Sequence, residues 1–253
     1  MSAAPWIFLR GLMRDGRHWG DFPEQFRREL PGVEVLCLDL PGNGSLHAGR
    51  SSASVPEMAE WCREELARRG LAPPYRVLAM SLGAMVAVCW AQSHPQDFAA
   101  AVLINTSLGP YSPFYRRLQP RAWPTVLRMA LAGPGGRSGE AAILRLTSRR
   151  HAADPALLET WTAWSRQQPV SRANALRQLL AAARFRAQAA SPARRLLLLA
   201  GKGDGLVDPR CSMALARAWG CELILHPEAG HDLPLDHGPW VARQVRGWLG
   251  NPG

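Results

Sequence analysis

The sequence predicts an α/β protein with a doubly wound, mainly parallel six-stranded sheet, and three observations predict it. Six short apolar runs rich in Val, Leu and Ile recur along the 253 residues without polar alternation, as strands covered on both faces do. Stretches with apolar residues at helical spacing separate them. One interval, residues 108–195, holds several helical stretches and no strand candidate. It is expected to be an inserted helical cap, or lid, on a core formed by residues 1–107 and 196–253.

Trp6–Leu9 and Val33–Leu38 are the first two strand candidates. Ser54-Val-Pro-Glu57 then supplies a capping box with proline in the first turn, so a helix starts there. Met58, Trp61, Cys62 and Leu66 give that helix an apolar face, and Gly70 is its expected C-cap. The third strand, Tyr75–Met80, runs into a turn at Ser81 and a helix through Ala84-Met-Val-Ala87, and Ala100–Ile104 is the fourth. In the cap, helices are expected around Trp123–Leu131, Gly139–Arg149, Pro155–Arg166 and Arg172–Ala187. Pro110, Pro113, Pro120 and Gly133-Pro-Gly-Gly136 punctuate them. Leu196–Ala200 and Leu223–Leu225 complete the sheet. Ligands of such sheets bind beyond the carboxyl ends of the strands.

Hydrophobic residues make up 47% and charged residues 20% of the chain, which excludes a disordered or collagen-like protein. Five cysteines cannot all pair and none forms a C-x-x-C, so a reduced, cytoplasmic chain is expected. The first ten residues lack a basic, apolar signal pattern. The longest uncharged stretch, Val77–Pro95, is interrupted by Ser81, Gly83, Gln92, Ser93 and His94, so no membrane span is expected. The formal charge is +10, yet residues 108–195 alone hold fifteen arginines against Glu140, Asp154 and Glu159, leaving the remainder slightly acidic. No helix-turn-helix, finger or RNA-binding signature accompanies this charge, so no nucleic-acid partner is expected. His18, His47, His94 and His151 show no i, i+4 pairing, and Gly42 and Gly44 lack the third glycine of a dinucleotide fingerprint. Neither a metal nor a cofactor is implied.

Ser81 stands at the apex of a strand, turn and helix, with small Ala79 and Gly83 two residues to either side. A nucleophile elbow requires this context, because strand and helix approach closely across the turn. A serine hydroxyl needs an imidazole to take its proton and a carboxylate to orient that imidazole. Asp204 follows the fifth strand and His231 follows the sixth. Their rivals have structural roles: Asp208 as an N-cap before Pro209, Asp232 facing its loop, His237 at a helix start and His226 at a strand end.

With these residues in place, the sequence resembles the α/β-hydrolase superfamily in its small form with a helical cap. The resemblance spans nearly the whole chain. It is carried by Leu9-Arg-Gly-Leu-Met13, Leu38-Asp-Leu-Pro-Gly-Asn-Gly44, the serine elbow, Gly201-x-x-Asp204 and Gly230-His-Asp232. The order Ser81, Asp204, His231 is the family's own. Two residues depart from the pattern, Ala79 where glycine is usual and Arg10 where histidine is usual. Alanine is small enough. Arg10 is read first as the structural partner of a carboxylate, and second as a fixed charge near the site. Asn105 stands where some relatives keep their acid, which an amide cannot replace, and the serine excludes the aspartate-nucleophile branches.

The resemblance implies six parallel strands with the cap inserted after the fourth. It implies an oxyanion hole from the backbone N–H groups of Leu82 and of Leu12 or Met13. The activity implied is hydrolysis of a carboxylic ester through an acyl-serine intermediate, with a small-molecule ester or thioester as substrate. Two alternatives stand beside it: a thioesterase acting on acyl-coenzyme A or an acidic acyl carrier protein drawn by the basic cap, and a non-catalytic binding protein of the same fold. Tyr111, Phe114, Tyr115, Trp123, Leu127, Trp161, Trp164 and Phe185 are more apolar than a solvated cap needs. Of these Phe114, Trp123, Trp161 and Trp164, with Met13 and Met80, are the substrate-pocket candidates.

Overall fold

A computed structural model describes residues 4–250 of the chain. The strands β1 (Trp6–Leu9), β2 (Val35–Leu38), β3 (Tyr75–Met80), β4 (Phe98–Ile104), β5 (Leu196–Gly201) and β6 (Glu222–His226) form one sheet in the order β2-β1-β3-β4-β5-β6. Every pairing is parallel.

The two covered faces explain the missing polar alternation. Successive strand side chains point to opposite faces. Ile7, Leu9, Val77, Ala79, Leu196 and Leu198 therefore enter one apolar cluster with Leu66 and Trp90. Trp6, Phe8, Leu78, Met80, Leu197 and Leu199 enter another with Phe22, Phe26, Val241 and Val245. The helices α2 (Val55–Arg68) and α3 (Leu82–Ser93) cover the first face, and α1 (Phe22–Glu29) and α10 (Leu233–Gly250) cover the second. The sequence pattern singled out no helix at α1. With eight residues it offers little periodicity, and Phe22 and Phe26, one turn apart, are what tie it to Phe8.

Local signals hold with small corrections. Ser54 Oγ accepts from Glu57 N–H, but the Glu57 carboxylate accepts a hydrogen bond from Ser52 Oγ instead of from the Ser54 N–H. Half of the expected capping box is thus replaced by a serine bridge, since Ser54 N–H donates to Ser52 Oγ. Gly70, at φ 74°, ends α2 as expected. β2 starts at Val35 rather than Val33, after the Pro31-Gly32 turn. β4 starts at Phe98 rather than Ala100, because a register shift at Tyr75 and Arg76 lets Phe98 pair with Tyr75.

Between β4 and β5 lie the five helices α4 (Phe114–Arg117), α5 (Trp123–Ala132), α6 (Arg137–Thr147), α7 (Pro155–Gln167) and α8 (Arg172–Arg184). α8 stops three residues short of the expected Ala187, where Arg186 makes an isolated bridge to Gly109. α9 (Arg210–Trp219) and α10 then complete the fold. Met13, in the loop after β1, packs with Met129, Ile143, Leu144, Trp161 and Ala175 of the helical segment. The order of strands reverses its sense between β1 and β3, so the crevice beyond their carboxyl ends is where a ligand belongs.

Candidate active site

Ser81 leaves β3 at that crevice with φ 52° and ψ −119°. A non-glycine residue in such a conformation costs on the order of 1–3 kcal/mol and persists only where its surroundings hold it. They do so here: the Ser81 N–H donates to Ile104 O, and its carbonyl accepts from Met85 N–H and Thr106 Oγ1. The turn also needs space. A Cβ on Gly83 would stand 2.5 Å from the Arg10 carbonyl oxygen, and one on Gly11 would stand 3.0 Å from Ser81 Cβ. Ala79, fully buried in β3, is accommodated.

Asp204, 1% exposed, follows β5. Its Oδ1 accepts from the N–H groups of Leu206 and Val207 at 2.7 and 2.9 Å, and its Oδ2 meets His231 Nδ1 at 2.7 Å. The helical segment secures this acid loop from above. Gln119 Nε2 and Arg121 Nη2 donate to the Asp204 carbonyl, and Arg121 Nε donates to that of Gly205. The histidine loop is secured from below: Asn105 Nδ2 donates to the carbonyls of Gly230 and His231, while Asn105 Oδ1 accepts from Gly201 N–H. Asn105, itself at φ 48°, therefore fastens the end of β5 to the loop after β6.

Asp232 corrects the sequence reading. It does not face its loop but makes a buried, bidentate ion pair with Arg10, at 3.1 and 2.6 Å. Burial, the largest single influence, raises its pKa, but the Arg10 guanidinium together with His231 and Arg14 nearby holds the carboxyl below the usual range. Arg10 also lies over the ring of Trp19 at 4.7 Å. The structural pairing expected for Arg10 is present, between the residue before Gly11 and the residue after His231.

Asp208 stands one residue before the expected position, since Pro209 is the N-cap of α9; it accepts from Arg210 N–H and forms an ion pair with the Arg210 guanidinium. His226 accepts from the N–H groups of Glu228 and Ala229, and His237 sits at a kink inside α10.

Ser81 and His231 share the wall of a cavity of about 340 Å³, with Leu12, Met13, Met80 and Leu82 around them and Phe114 and Trp123 at its outer side. Trp161 and Trp164 are not on this wall. Both turn toward the loop after β1, where Arg14 and Arg17 lie over their rings at 4.5 and 5.4 Å and His18 meets both edge-on. The attraction of cations for aromatic faces directs the aromatic side of α7 away from Ser81. Tyr111 and Phe185 are likewise spent elsewhere, on Trp219 and on the core. Met13 N–H donates to Gln178 Oε1 at 2.8 Å, so Leu12 is the member of that pair with an N–H to offer a ligand.

Sequence reasoning missed Gln178 entirely. Fully buried, it also donates from Nε2 to Asn43 Oδ1 and Ser51 Oγ. A lone glutamine on a helix carries no motif, so no signal marked it. It missed the ion pair of Arg14 with Glu140 at 2.8 Å as well. Among the described residues no group of three His, Cys, Asp or Glu side chains stands close enough to hold a metal ion, and no helix is long and apolar enough to cross a membrane.

A parallel sheet with a strained serine after β3 and a hydrogen-bonded Asp and His after β5 and β6 defines a hydrolase of the α/β class. The comparisons agree: the α/β-hydrolase-fold family model matches residues 6–238, and the chain belongs to that family. No curated protein sequence matches it. Among solved structures it is similar to a malate-bound thermophilic esterase from Thermogutta terrifontis, at TM-score 0.74 and 22% identity over 98% of this chain and 90% of that one. A putative non-heme bromoperoxidase from Mycobacterium tuberculosis superimposes at TM-score 0.74 and 20% identity, over 98% and 92%. A putative lipase from Acinetobacter baumannii superimposes at 0.70 and 21%, over 98% and 84%. At these identities the likeness is one of fold.

Proposed function

We propose that this α/β hydrolase is a serine hydrolase that cleaves a carboxylic ester through an acyl-serine intermediate. One observation carries the reading: the buried 2.7 Å contact of His231 Nδ1 with Asp204 Oδ2, in the same cavity as a serine on a positive-φ turn. Asp204 fixes the imidazole with its proton on Nδ1, so Nε2 is the basic atom. Nε2 takes the hydroxyl proton as Ser81 Oγ adds to the carbonyl carbon. The negative charge that forms on the carbonyl oxygen is met by the N–H groups of Leu82 and Leu12. Leu82 opens α3, whose dipole favours negative charge there. The intermediate collapses, the carbon–oxygen bond to the leaving group breaks, and His231 returns the proton to the departing alcohol. A water molecule, deprotonated by His231, then adds to the acyl carbon; the bond to Ser81 breaks as His231 returns that proton to Ser81 Oγ, and the free acid leaves.

The apolar cavity wall favours a medium-chain acyl group over acetyl. The esterase and lipase named among the structural neighbours are consistent with ester chemistry. A cytoplasmic setting belongs to the same proposal, supported by five cysteines without a disulfide. A thioester is cleaved by the same steps with a thiol leaving, and the arginines of the helical segment favour that second reading for an anionic substrate. The test is labelling of the intact protein by a fluorophosphonate probe, followed by a series of p-nitrophenyl esters. Labelling on Ser81 and preference for medium chains are expected; no labelling overturns the serine mechanism, and preference for acetate overturns the acyl assignment.

A further inference from the structure

Four charged side chains other than His231 line the cavity, and three of them are paired: Arg10 and Asp232 with each other, and Arg14 with Glu140 behind the wall. The fourth is Arg117, for which no carboxylate stands within ion-pair distance among the described residues. Its Nη2 donates to the Ala182 carbonyl at 2.6 Å and its Nη1 to that of Ala183 at 3.5 Å, both in the last turn of α8, while its Nε is buried without a partner. These carbonyls fix the direction of the guanidinium without neutralising it. Burial and the nearby Arg186 both disfavour its charge and lower its pKa.

The acids of the helical segment are already committed. Glu140 pairs with Arg14, Glu159 with Arg137, and Asp154 caps α7 and contacts His151. No acid of the segment therefore competes for Arg117. Its position is also informative. Ser81 is 7% exposed at the inner end of the cavity, whereas Phe114, on the same short helix as Arg117, is 70% exposed at the outer end. Between them the wall is apolar, with Met80, Met85, Val126 and Leu179.

We infer that Arg117 is a specificity-determining residue that binds an anionic group, a carboxylate or a phosphate, carried by the substrate at the end of an apolar stretch leading from the scissile carbonyl. The inference rests on the proposed ester or thioester hydrolysis at Ser81 and adds the substrate class, an amphiphilic anion. The anion has two possible sources, the far end of the acyl chain or the leaving group, as in the phosphates of acyl-coenzyme A. In either case it meets the guanidinium hydrogens of Nη1 and Nη2 that are not given to the Ala182 and Ala183 carbonyls, donors that suit both groups.

Two matched substrate pairs separate the sources. One is p-nitrophenyl octanoate against a p-nitrophenyl ester of similar chain length ending in a carboxylate. The other is the octanoyl thioester of N-acetylcysteamine against octanoyl-coenzyme A. For each pair the ratio of kcat/KM, charged over neutral, is measured in the wild type, Arg117→Gln and Arg117→Lys. One of the two ratios is expected to fall about 10- to 100-fold in Arg117→Gln, the range of a hydrogen bond to a charged group, mainly through KM, with partial recovery in Arg117→Lys. A fall in the first pair places the anion on the acyl chain, and a fall in the second places it on the leaving group. Unchanged ratios in both pairs overturn the inference and leave Arg117 as a tie between α4 and α8. Calorimetric titration with octyl phosphate, octanoate and octanol judges the site without catalysis. Weaker binding of both anions relative to octanol is expected in Arg117→Gln, and anions bound no better than octanol by the wild type overturn the site. Absence of probe labelling with anion binding intact fails the serine mechanism alone.

Discussion

The sheet core and the helical segment between β4 and β5 hold their functional residues by different means. In the core, Ser81, Asp204 and His231 each follow a strand, and backbone hydrogen bonds with tight glycine contacts fix them. In the helical segment the groups that reach the cavity are side chains, and side-chain bonds (Gln178 to Met13, Arg14 to Glu140, Arg121 to the Asp204 loop) link it to the core beside the backbone bonds Gln119 N–H to Leu206 O, Asp208 N–H to Arg116 O and Asp232 N–H to Thr147 O. Charge divides the same way, with the arginine excess in the segment and a slightly acidic remainder. On the proposed reading, the core fixes where bonds are made and broken, and the segment shapes what is admitted.

The comparison breaks first at Ser81. Ser81→Ala is expected to abolish probe labelling and to lower kcat by about 10⁶, as nucleophile removal does elsewhere, with substrate binding retained; near-normal turnover would refute the division. Second is the acid. Asp204→Asn is expected to lower the rate by about 10⁴, while Asp208→Ala, which removes the hydrogen bond to Arg210 N–H and the ion pair with the Arg210 side chain at the start of α9, should cost about 1 kcal/mol of stability in denaturant titration. Equal activity losses in two folded proteins would mean the wrong acid has been chosen.

The third experiment concerns stability. Asp232→Ala strands a buried guanidinium and is expected to cost about 3–5 kcal/mol, whereas the double change Arg10→Met with Asp232→Leu, which removes both charges, should recover most of it. Failure of the double variant to recover would make the pair a device for geometry rather than for charge.

The fourth experiment concerns pH dependence. Burial, with the nearby Arg14, lowers the His18 pKa from 6.5 to about 4. The folded state then binds the proton less readily than the unfolded chain. The contribution of His18 is full above pH 6.5 and is lost as pH falls toward 4, by about 3 kcal/mol at most. His18→Gln should flatten the melting temperature over that interval. An unchanged slope would show that His18 is accessible to protons in the fold.

The strands were legible because both faces of a parallel sheet are apolar, and Ser81, Asp204 and His231 because turn chemistry and strand ends mark them locally. Arg10 and Asp232 stand 222 positions apart, and no local pattern connects them. Trp161 and Trp164 were misassigned for a related reason. Helical spacing puts them on one side of α7, but the direction that side faces is set by Arg14, Arg17 and His18 in a distant loop. Gln178 was invisible because its three partners, Met13, Asn43 and Ser51, meet only after folding.

That glutamine limits how the protein can be re-engineered. Since its Oε1 holds the Met13 N–H beside Leu12, the helical segment is not an interchangeable accessory. A chimera that exchanges residues 108–195 for another helical segment is expected to remove a support of the loop beside Ser81 together with any selectivity the old segment gave. Grafts that keep α8 through Gln178 and vary only α4 and α5 separate the two, which makes those helices the place to start a library.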